Sequence, residues 1–188
     1  IIIGDMNGLK LTNDIFGHVA GDELLMKVAE VFKRVCRADD IIARVGGDEF
    51  TILLPKTTQE DAQMIINRVK SELSKIRVKA IKGSISMGCD TKNFANENIL
   101  QILKNAEKRM YTVKTLERNN VKTTTIRTII ETLHSNSPLE KEHSRNVGLI
   151  SKNIGKAMGL SEVEIRRLKE AGFLHDIGKI ALDEDVLM

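Results

Sequence analysis

The sequence is poor in aromatic residues and cysteine, and each shortage excludes a class of protein. Aromatic residues make up 3% of the 188 residues and Trp is absent, so a platform for stacking nucleic-acid bases is not expected. The two cysteines, Cys36 and Cys89, are too few for a disulfide framework, which favours reduced thiols in a cytoplasmic protein. No apolar run reaches the roughly 18 to 20 residues of a membrane span, and we find no signal peptide.

The charge is nearly balanced, with 29 basic and 26 acidic residues and a net charge of +3. The two signs alternate along predicted helices, so most are expected on solvated faces. With 41% hydrophobic residues, the chain can bury a core. It opens within an apolar run, Ile1-Ile2-Ile3, and stops directly after a motif. We therefore expect the protein to continue beyond both ends, and the sequence leaves open a membrane anchor upstream.

The stretch Arg44-Val45-Gly46-Gly47-Asp48-Glu49-Phe50 lies between two short aliphatic runs, 41–43 and 51–54. Such runs around Gly-Gly-Asp-Glu predict a β-hairpin. Because glycine has no Cβ, a ligand can approach the backbone closely here. Adjacent carboxylates are stabilised by a cation or a hydrogen-bond donor. The turn therefore suits a phosphate ligand carried with a divalent metal. The alternative is a solvated hairpin turn, because Gly and Asp are common in turns.

A second acidic position follows the first predicted strand, which runs from Ile1 to Gly4 and ends at Asp5. A carboxylate where a loop leaves a strand is a common metal ligand in α/β proteins. Asn13 and Asp22 follow, and each has two interpretations. An amide and a carboxylate can recognise the edge of guanine, or each residue can cap a helix.

Together the motifs D-M-N-G-L-K at 5–10, N-D-I-F-G-H at 13–18 and G-D at 21–22 resemble the GGDEF family of diguanylate cyclases. These enzymes join two GTP molecules into cyclic di-GMP. Asn7 stands where the family commonly has Asp. The resemblance implies that Asp5, the carbonyl of Met6 and Asp48 hold Mg²⁺ or Mn²⁺, and that a homodimer brings two substrates together. It also implies catalytic roles for Asp48 and Glu49, and GTP contacts by Lys10, Asn13, His18, Asp22, Gly46 and Gly47.

Arg37 and Asp40 form an R-x-x-D pair, with five residues between Asp40 and Gly46. The spacing resembles the inhibitory site of GGDEF domains, where an Arg and an Asp bind cyclic di-GMP. Arg can bind phosphate or guanine through two hydrogen bonds, and Asp can accept from guanine. The alternative is a surface ion pair at the end of the helix predicted over Glu23–Arg37.

The run from Ile99 to Leu116 predicts a helix on which Lys114 shares a face with Arg118, four residues later. Its end resembles the A-D…Y-x-A-K-x-x-G-R-N pattern of the family, with Glu107, Val113 and Glu117 replacing Asp, Ala and Gly. The resemblance implies that Lys114 and Arg118 contact nucleotide phosphates. Alternatively, they form a basic helix end that complements the helix dipole.

After residue 120 the strand pattern disappears, and helices are predicted over 121–134, 140–158 and 161–174. H-D-I-G-K at 175–179, with H-S-R at 143–145, resembles the start of an HD-GYP domain, a class that hydrolyses cyclic di-GMP. The resemblance implies that His143, His175 and Asp176 hold Fe or Mn, and imidazole and carboxylate ligands suit such an ion. The stretch is too short for a complete catalytic domain, so we expect a helical docking or dimerisation element.

These observations predict two domains. Residues 1–120 are expected to form an α/β (α+β) GGDEF domain, palm-like, with a mainly antiparallel sheet and a truncated first strand. Residues 121–188 are expected to be the all-α opening of an HD domain. The expected partners are GTP, cyclic di-GMP and a second copy of the chain, with no nucleic acid. Two alternatives remain: a regulatory module that binds GTP or cyclic di-GMP with little turnover, and a protein that is mainly a phosphodiesterase.

Overall fold

The structure, a computed structural model, describes residues 1–79 and 81–181. For helical positions 118–125, 127, 132, 133, 136, 180 and 181 it describes the backbone alone. The chain forms two compact units, Ile1–Thr125 and Ile126–Met188. None of the helices within the described ranges combines the length and apolarity that crossing a membrane requires.

The first unit is built on a four-stranded antiparallel sheet. Its strands are β1 (Ile2–Met6), β2 (Ile41–Arg44), β3 (Glu49–Leu53) and β6 (Ile85–Cys89), in the order β2-β3-β1-β6. A separate ribbon pairs β4 (Arg77–Val78) with β5 (Ile81–Lys82). The helices of this unit are α1 (Leu9–Val35), α2 (Gln59–Leu73) and the first part of α3 (Ile99–Asn136). The predictions of a mainly antiparallel sheet and of a hairpin around Gly46 and Gly47 are therefore confirmed.

Strand β1 is buried along its whole length, and its residues alternate between two packed faces. Ile3 packs against Ala106 and Met110 of α3. The backbone of α3 comes so close to β6 that a Cβ on Gly88 would clash with it at Ala106 and Met110. Because Asp5 lies on the same face as Ile3, its carboxylate is directed toward α3.

Helix α1 begins at Leu9, much earlier than the predicted start at Glu23. The helix bends at Gly17, whose φ of 79° and ψ of 166° are not helical, and glycine adopts this conformation without the strain of a Cβ. Asn13 and Asp22 lie inside α1, and its N-cap is Gly8. The interpretation of Asn13 and Asp22 as helix caps was therefore wrong.

The prediction of two helices over 99–116 and 121–134 was also wrong, since α3 continues from Ile99 to Asn136. No proline or glycine occurs in that range, so nothing in the backbone chemistry stops the helix at residues 117–120. The predicted domain boundary at residue 120 lies inside α3 and stays a prediction.

The second unit contains the end of α3, α4 (Pro138–Ala157), α5 (Glu162–Leu174) and a 3₁₀ helix (Ile177–Ala181). Ser137 caps α4 by accepting from the main chain of Glu140, with Pro138 in the first turn. Ser161 and Glu164 form the predicted capping box of α5. Within this unit His134 of α3 meets Phe173 of α5 edge to face, at 5.4 Å between ring centroids.

Candidate functional site

Asp5 is an almost fully buried carboxylate at the end of β1, with 4% exposure. Its Oδ2 lies 2.5 Å from Nζ of Lys114 on α3. Its Oδ1 is also buried and has no hydrogen-bond partner in the part of the chain that the structure describes. Burial raises the pKa of Asp5, the hydrogen bond from Lys114 opposes that change, and the charge of Asp48 raises the pKa further. A cation bound at Oδ1 would stabilise the ionised form.

The Gly-Gly-Asp-Glu turn lies beside this carboxylate. Asp5 is directly opposite Glu49 in the β1–β3 pairing, and the amide of Met6 donates to the carbonyl of Asp48 at 2.9 Å. These pairings bring the carboxylates of the turn to the end of β1. Asp48 is half-buried and Glu49 is exposed.

Arg44 holds the turn in one conformation. Its Nη2 donates to the carbonyl of Gly47 at 2.7 Å, and its Nε lies 3.2 Å from the carbonyl oxygens of both Gly46 and Gly47. Both glycine carbonyl groups are therefore bound to one guanidinium. The sequence analysis did not assign Arg44 a role, although its place directly before Val45-Gly46-Gly47 could have suggested one.

A cavity of about 420 Å³ opens between the hairpin and α3. Three lysines and three carboxylates contribute to its wall together with Met110 and Tyr111: Asp5, Glu49, Lys104, Glu107, Lys108 and Lys114. Cations and carboxylates at close range can hold a phosphate chain together with a divalent metal. The side chain of Arg118, predicted to contact phosphate, lies outside the described residues.

A second cavity, of about 460 Å³, includes Asp22 and Arg44 in its wall. Asn13 lies beside Gly21, the neighbour of Asp22, because the Oδ1 atom of Asn13 occupies the place where a Cβ on Gly21 would be. Two residues that are eight positions apart on a straight helix would be about 12 Å apart. The bend at Gly17 therefore brings Asn13 and Gly21 together. Oδ1 of Asn13 is buried and has no partner among the described residues. Lys10 and His18 are exposed on α1 and line neither cavity.

Arg37 and Asp40 do not form the surface ion pair considered as an alternative. Oδ2 of Asp40 instead accepts from the main-chain amide of Arg37 at 2.7 Å, and the Arg37 side chain is exposed with no partner within residues 1–79 and 81–181. The guanidinium of Arg37 is thus available to a ligand, and the product site stays a prediction.

Burial, with the charge of Asp40, raises the pKa of the neighbouring Cys36 thiol to about 11.

The second unit brings His143, His175 and Asp176 together, with one ligand atom from each within 4.8 Å of the others. Nε2 of His175 lies 3.2 Å from Nε2 of His143 and 3.1 Å from Oδ2 of Asp176. Nδ1 of His175 lies 2.9 Å from the carbonyl oxygen of Gly172. A proton on Nδ1 satisfies that bond and leaves Nε2 free to bind a metal.

One basic and one acidic neighbour, Lys179 and Glu140, complete this cluster. Nζ of Lys179 lies 2.9 Å from Oδ2 of Asp176 and 2.9 Å from Oε1 of Glu140. The hydrogen bond from Lys179 lowers the pKa of Asp176, as do the two histidines to a smaller extent. The carboxylate is therefore ionised and ready to act as a ligand. Two imidazoles and a carboxylate suit a transition-metal ion.

Comparison with known proteins identifies both parts of the chain. The family described as "Diguanylate cyclase, GGDEF domain" matches residues 1–120, and the HD domain family matches residues 141–186. Diguanylate cyclase A of Treponema denticola is 34% identical over 125 residues, which are 64% of this chain and 34% of that protein. The chain thus spans about a third of the length of this curated relative.

Solved structures agree with the fold. The active GGEEF domain of a diguanylate cyclase from Vibrio cholerae is 28% identical, covers 61% of this chain and 74% of its own, and superimposes with a TM-score of 0.57. A microbial GGDEF domain studied for its interaction with cyclic di-GMP is 30% identical, with coverage of 61% and 71% and a TM-score of 0.52.

The family matches and the fold thus define a GGDEF domain followed by an HD region. The chain belongs to the GGDEF diguanylate cyclase family. The sequence prediction of a GGDEF domain followed by the beginning of an HD domain is confirmed.

Proposed function

We propose that residues 1–120 condense two GTP molecules into cyclic di-GMP, with release of two pyrophosphates, when two copies of the chain meet. The observation that carries this proposal is the buried Asp5 carboxylate, with one oxygen unpartnered among the described residues and the other on Lys114. It lies beside the Asp48-Glu49 turn and a cavity large enough for a triphosphate.

Asp5, Asp48 and the carbonyl of Met6 would hold Mg²⁺ or Mn²⁺. The unpartnered Oδ1 of Asp5 and the oxygen-only donor set fit a hard divalent cation. Such an ion, when bound, would offset the negative charge of the triphosphate.

The remaining roles belong to side chains. Lys10, Lys114 and Arg118 would hold phosphates, and the open backbone of Gly46 and Gly47 would let them approach. Asn13 and Asp22 would recognise guanine, with His18 near the nucleotide. These roles rest on the family resemblance, and the two cavities support those of Lys114 and Asp22, which contribute to their walls.

Each of the two bond-forming steps needs a base for one 3′-hydroxyl proton. Asp48, or otherwise Glu49, would accept the proton of the 3′-hydroxyl as its oxygen bonds to the α-phosphorus of the other GTP and pyrophosphate leaves. One subunit cannot present both substrates to each other, which is why a homodimer is required.

Arg37 and Asp40 would bind cyclic di-GMP and restrain synthesis. The exposed guanidinium of Arg37 supports this role, and a GGDEF relative is known for its interaction with the same nucleotide. The cyclic di-GMP would then act as product and as inhibitor.

The HD region would serve the opposite reaction in the whole protein. His143, His175 and Asp176 would hold Fe or Mn as part of an HD-GYP phosphodiesterase whose other ligands lie outside this sequence. The compact cluster of the three ligand atoms supports a metal there.

We place the protein in the cytoplasm, because both cysteines are unpaired.

A second candidate is a regulatory module that binds GTP or cyclic di-GMP with little turnover and controls the HD domain. The departures from the family pattern at Glu107 and Glu117, on the helix that carries Lys114, favour it.

The deciding experiment incubates the chain with GTP and Mg²⁺ and follows pyrophosphate and cyclic di-GMP by chromatography. We expect product from the wild type and none from Asp48→Ala, with unchanged circular dichroism because Asp48 lies in a turn. Asp39→Ala, at an exposed loop position, is the matched control and should keep activity. GTP binding without product at high protein concentration would favour the regulatory module, and equal product from Asp48→Ala would contradict the assigned turn.

A further inference from the structure

Glu117 connects three elements at the edge of the candidate site. It lies on α3, and its Oε2 accepts from the hydroxyl of Ser86 on β6 at 3.0 Å. Its Oε1 lies 3.0 Å from Nζ of Lys70 on α2. Ser86 is fully buried, so this contact is shielded from solvent at one end. One carboxylate therefore attaches α3 to both the sheet and α2.

The hydroxyl proton of Ser86 belongs to Glu117. Oγ of Ser86 lies 3.0 Å from Glu117 and 3.1 Å from Oδ1 of Asn7, but it has one proton for these two acceptors. The Asn7 amide also lies 3.1 Å from Oγ of Ser84. If the amide is turned by 180°, its NH₂ group donates to Ser86 and its oxygen accepts from Ser84. Every group is then paired, and Ser86 donates to the carboxylate.

The same face of α3 carries Lys114, one turn before Glu117. Lys114 reaches Asp5 on β1, and Glu117 reaches Ser86, which lies directly opposite Asp5 on the neighbouring strand. The two attachment points on the sheet are therefore about 5 Å apart. A lysine side chain is long and flexible, so the place of its ammonium depends on how firmly its helix turn is held.

We propose that Glu117 is a positioning residue that, through Ser86 and Lys70, holds this turn of α3 so that the ammonium of Lys114 stays on Asp5. Its effect on GTP rests on the proposed function, because it assumes that Lys114 meets the phosphates. Its effect on Lys114 in the chain without nucleotide does not.

The first test measures the acetylation rate of Lys114 by mass spectrometry on the whole chain without nucleotide. Glu117→Ala should raise that rate by roughly threefold, the factor expected when a partly exposed ion pair is loosened. Lys104 and Lys108 on the same helix should not change. Glu117→Gln keeps an acceptor for Ser86 and should give a smaller increase. The matched control is Glu72→Ala. It removes a carboxylate of α2 that is paired with Arg34 and Lys75.

An unchanged rate at Lys114 in a folded Glu117→Ala chain would overturn the proposal. An equal increase at all three lysines would do the same, because it would indicate general loosening of α3. Circular dichroism establishes that each variant is folded.

The second test measures binding of a non-hydrolysable GTP analogue with Glu117→Ala and Lys114→Met, alone and combined. Glu117→Ala should weaken binding by roughly threefold alone and add nothing in the Lys114→Met background, because coupled residues are not additive. Equal factors in both backgrounds would contradict action through Lys114. If the wild type does not bind the GTP analogue at all, while the acetylation rates are as expected, the proposed function is rejected. The positioning role of Glu117 then remains in place.

Discussion

Arg44 and Gly47 are joined by a 2.7 Å hydrogen bond from the guanidinium to the main-chain carbonyl. The glycines of a Gly-Gly-Asp-Glu turn have many accessible conformations, and this bond, with those from Nε of Arg44 to Gly46 and Gly47, selects one of them. Arg44 does not line the cavity beside Asp5, yet it thereby determines where the turn presents its backbone.

We expect Arg44→Ala to lower the rate of cyclic di-GMP formation by about tenfold while the chain stays folded, because the turn loses its fixed geometry. Arg44→Lys should recover little, since an ammonium cannot bind two carbonyl groups in the same planar arrangement. Steady-state pyrophosphate release measures both. Arg77→Ala, an exposed arginine on β4, should match the wild type, and an Arg44→Ala rate equal to wild type would remove this role.

Asn7→Asp should destabilise the first unit by about 1 kcal/mol, because two carboxylates would then share the single proton of Ser86. Glu117→Gln in the same chain should restore most of the loss, since one acceptor is again an amide. Urea unfolding of the two single variants and the double variant forms the cycle. Purely additive changes would contradict the proton count at Ser86.

Arg37→Ala should relieve inhibition by added cyclic di-GMP, because the exposed guanidinium is the cation proposed to hold the nucleotide. The rate without added cyclic di-GMP should be unchanged. Initial rates at increasing cyclic di-GMP give the comparison, with Arg34→Ala in the last turn of α1 as control. The same inhibition curve for Arg37→Ala and the wild type would show that the inhibitory site lies elsewhere.

His134 should make the stability of the second unit depend on pH. Burial and the charge of Lys141 hold the pKa of His134 below its ordinary value of 6.5, against a smaller opposite effect of Glu140. The unfolded chain then binds the proton more readily, so this contribution is complete above 6.5 and is lost as the pH falls through the lowered pKa. We expect His134→Gln to lose less thermal stability than the wild type between about pH 7 and 5. Parallel losses would contradict the lowered pKa.

Short stretches of sequence predicted much of this molecule. The aliphatic runs around Gly46 and Gly47 were sufficient for the hairpin, and Ser161 with Glu164 for the start of α5, because both features depend on neighbouring residues. The start of α3 at Ile99 was predicted, but the start of α1 at Leu9 and the end of α3 at Asn136 were not. Glycine permits the bend at position 17, and the lack of Pro and Gly permits the continuation past residue 120, but neither pattern requires it.

The candidate site divides in the same way. The motifs singled out Asp5, Asp48, Lys114, His143 and His175, through their residue types and through the resemblance to the two families. They did not single out Arg44, Ser86 or Glu117 as functional. Glu117 was noticed only as a departure from the family pattern, and its partners Lys70 and Ser86 lie 47 and 31 residues away.

The sequence by itself determined the family, the antiparallel sheet and which residues carry acid, amide and basic groups. Only the tertiary structure decided which of them meet. Lys114 reaches Asp5 across 109 residues of chain, and Glu49 lies opposite Asp5 because of strand register. The physical reason is that turns and caps are stabilised by neighbours in sequence, whereas register and helix packing follow from burying the apolar faces of β1, β6 and α3 together.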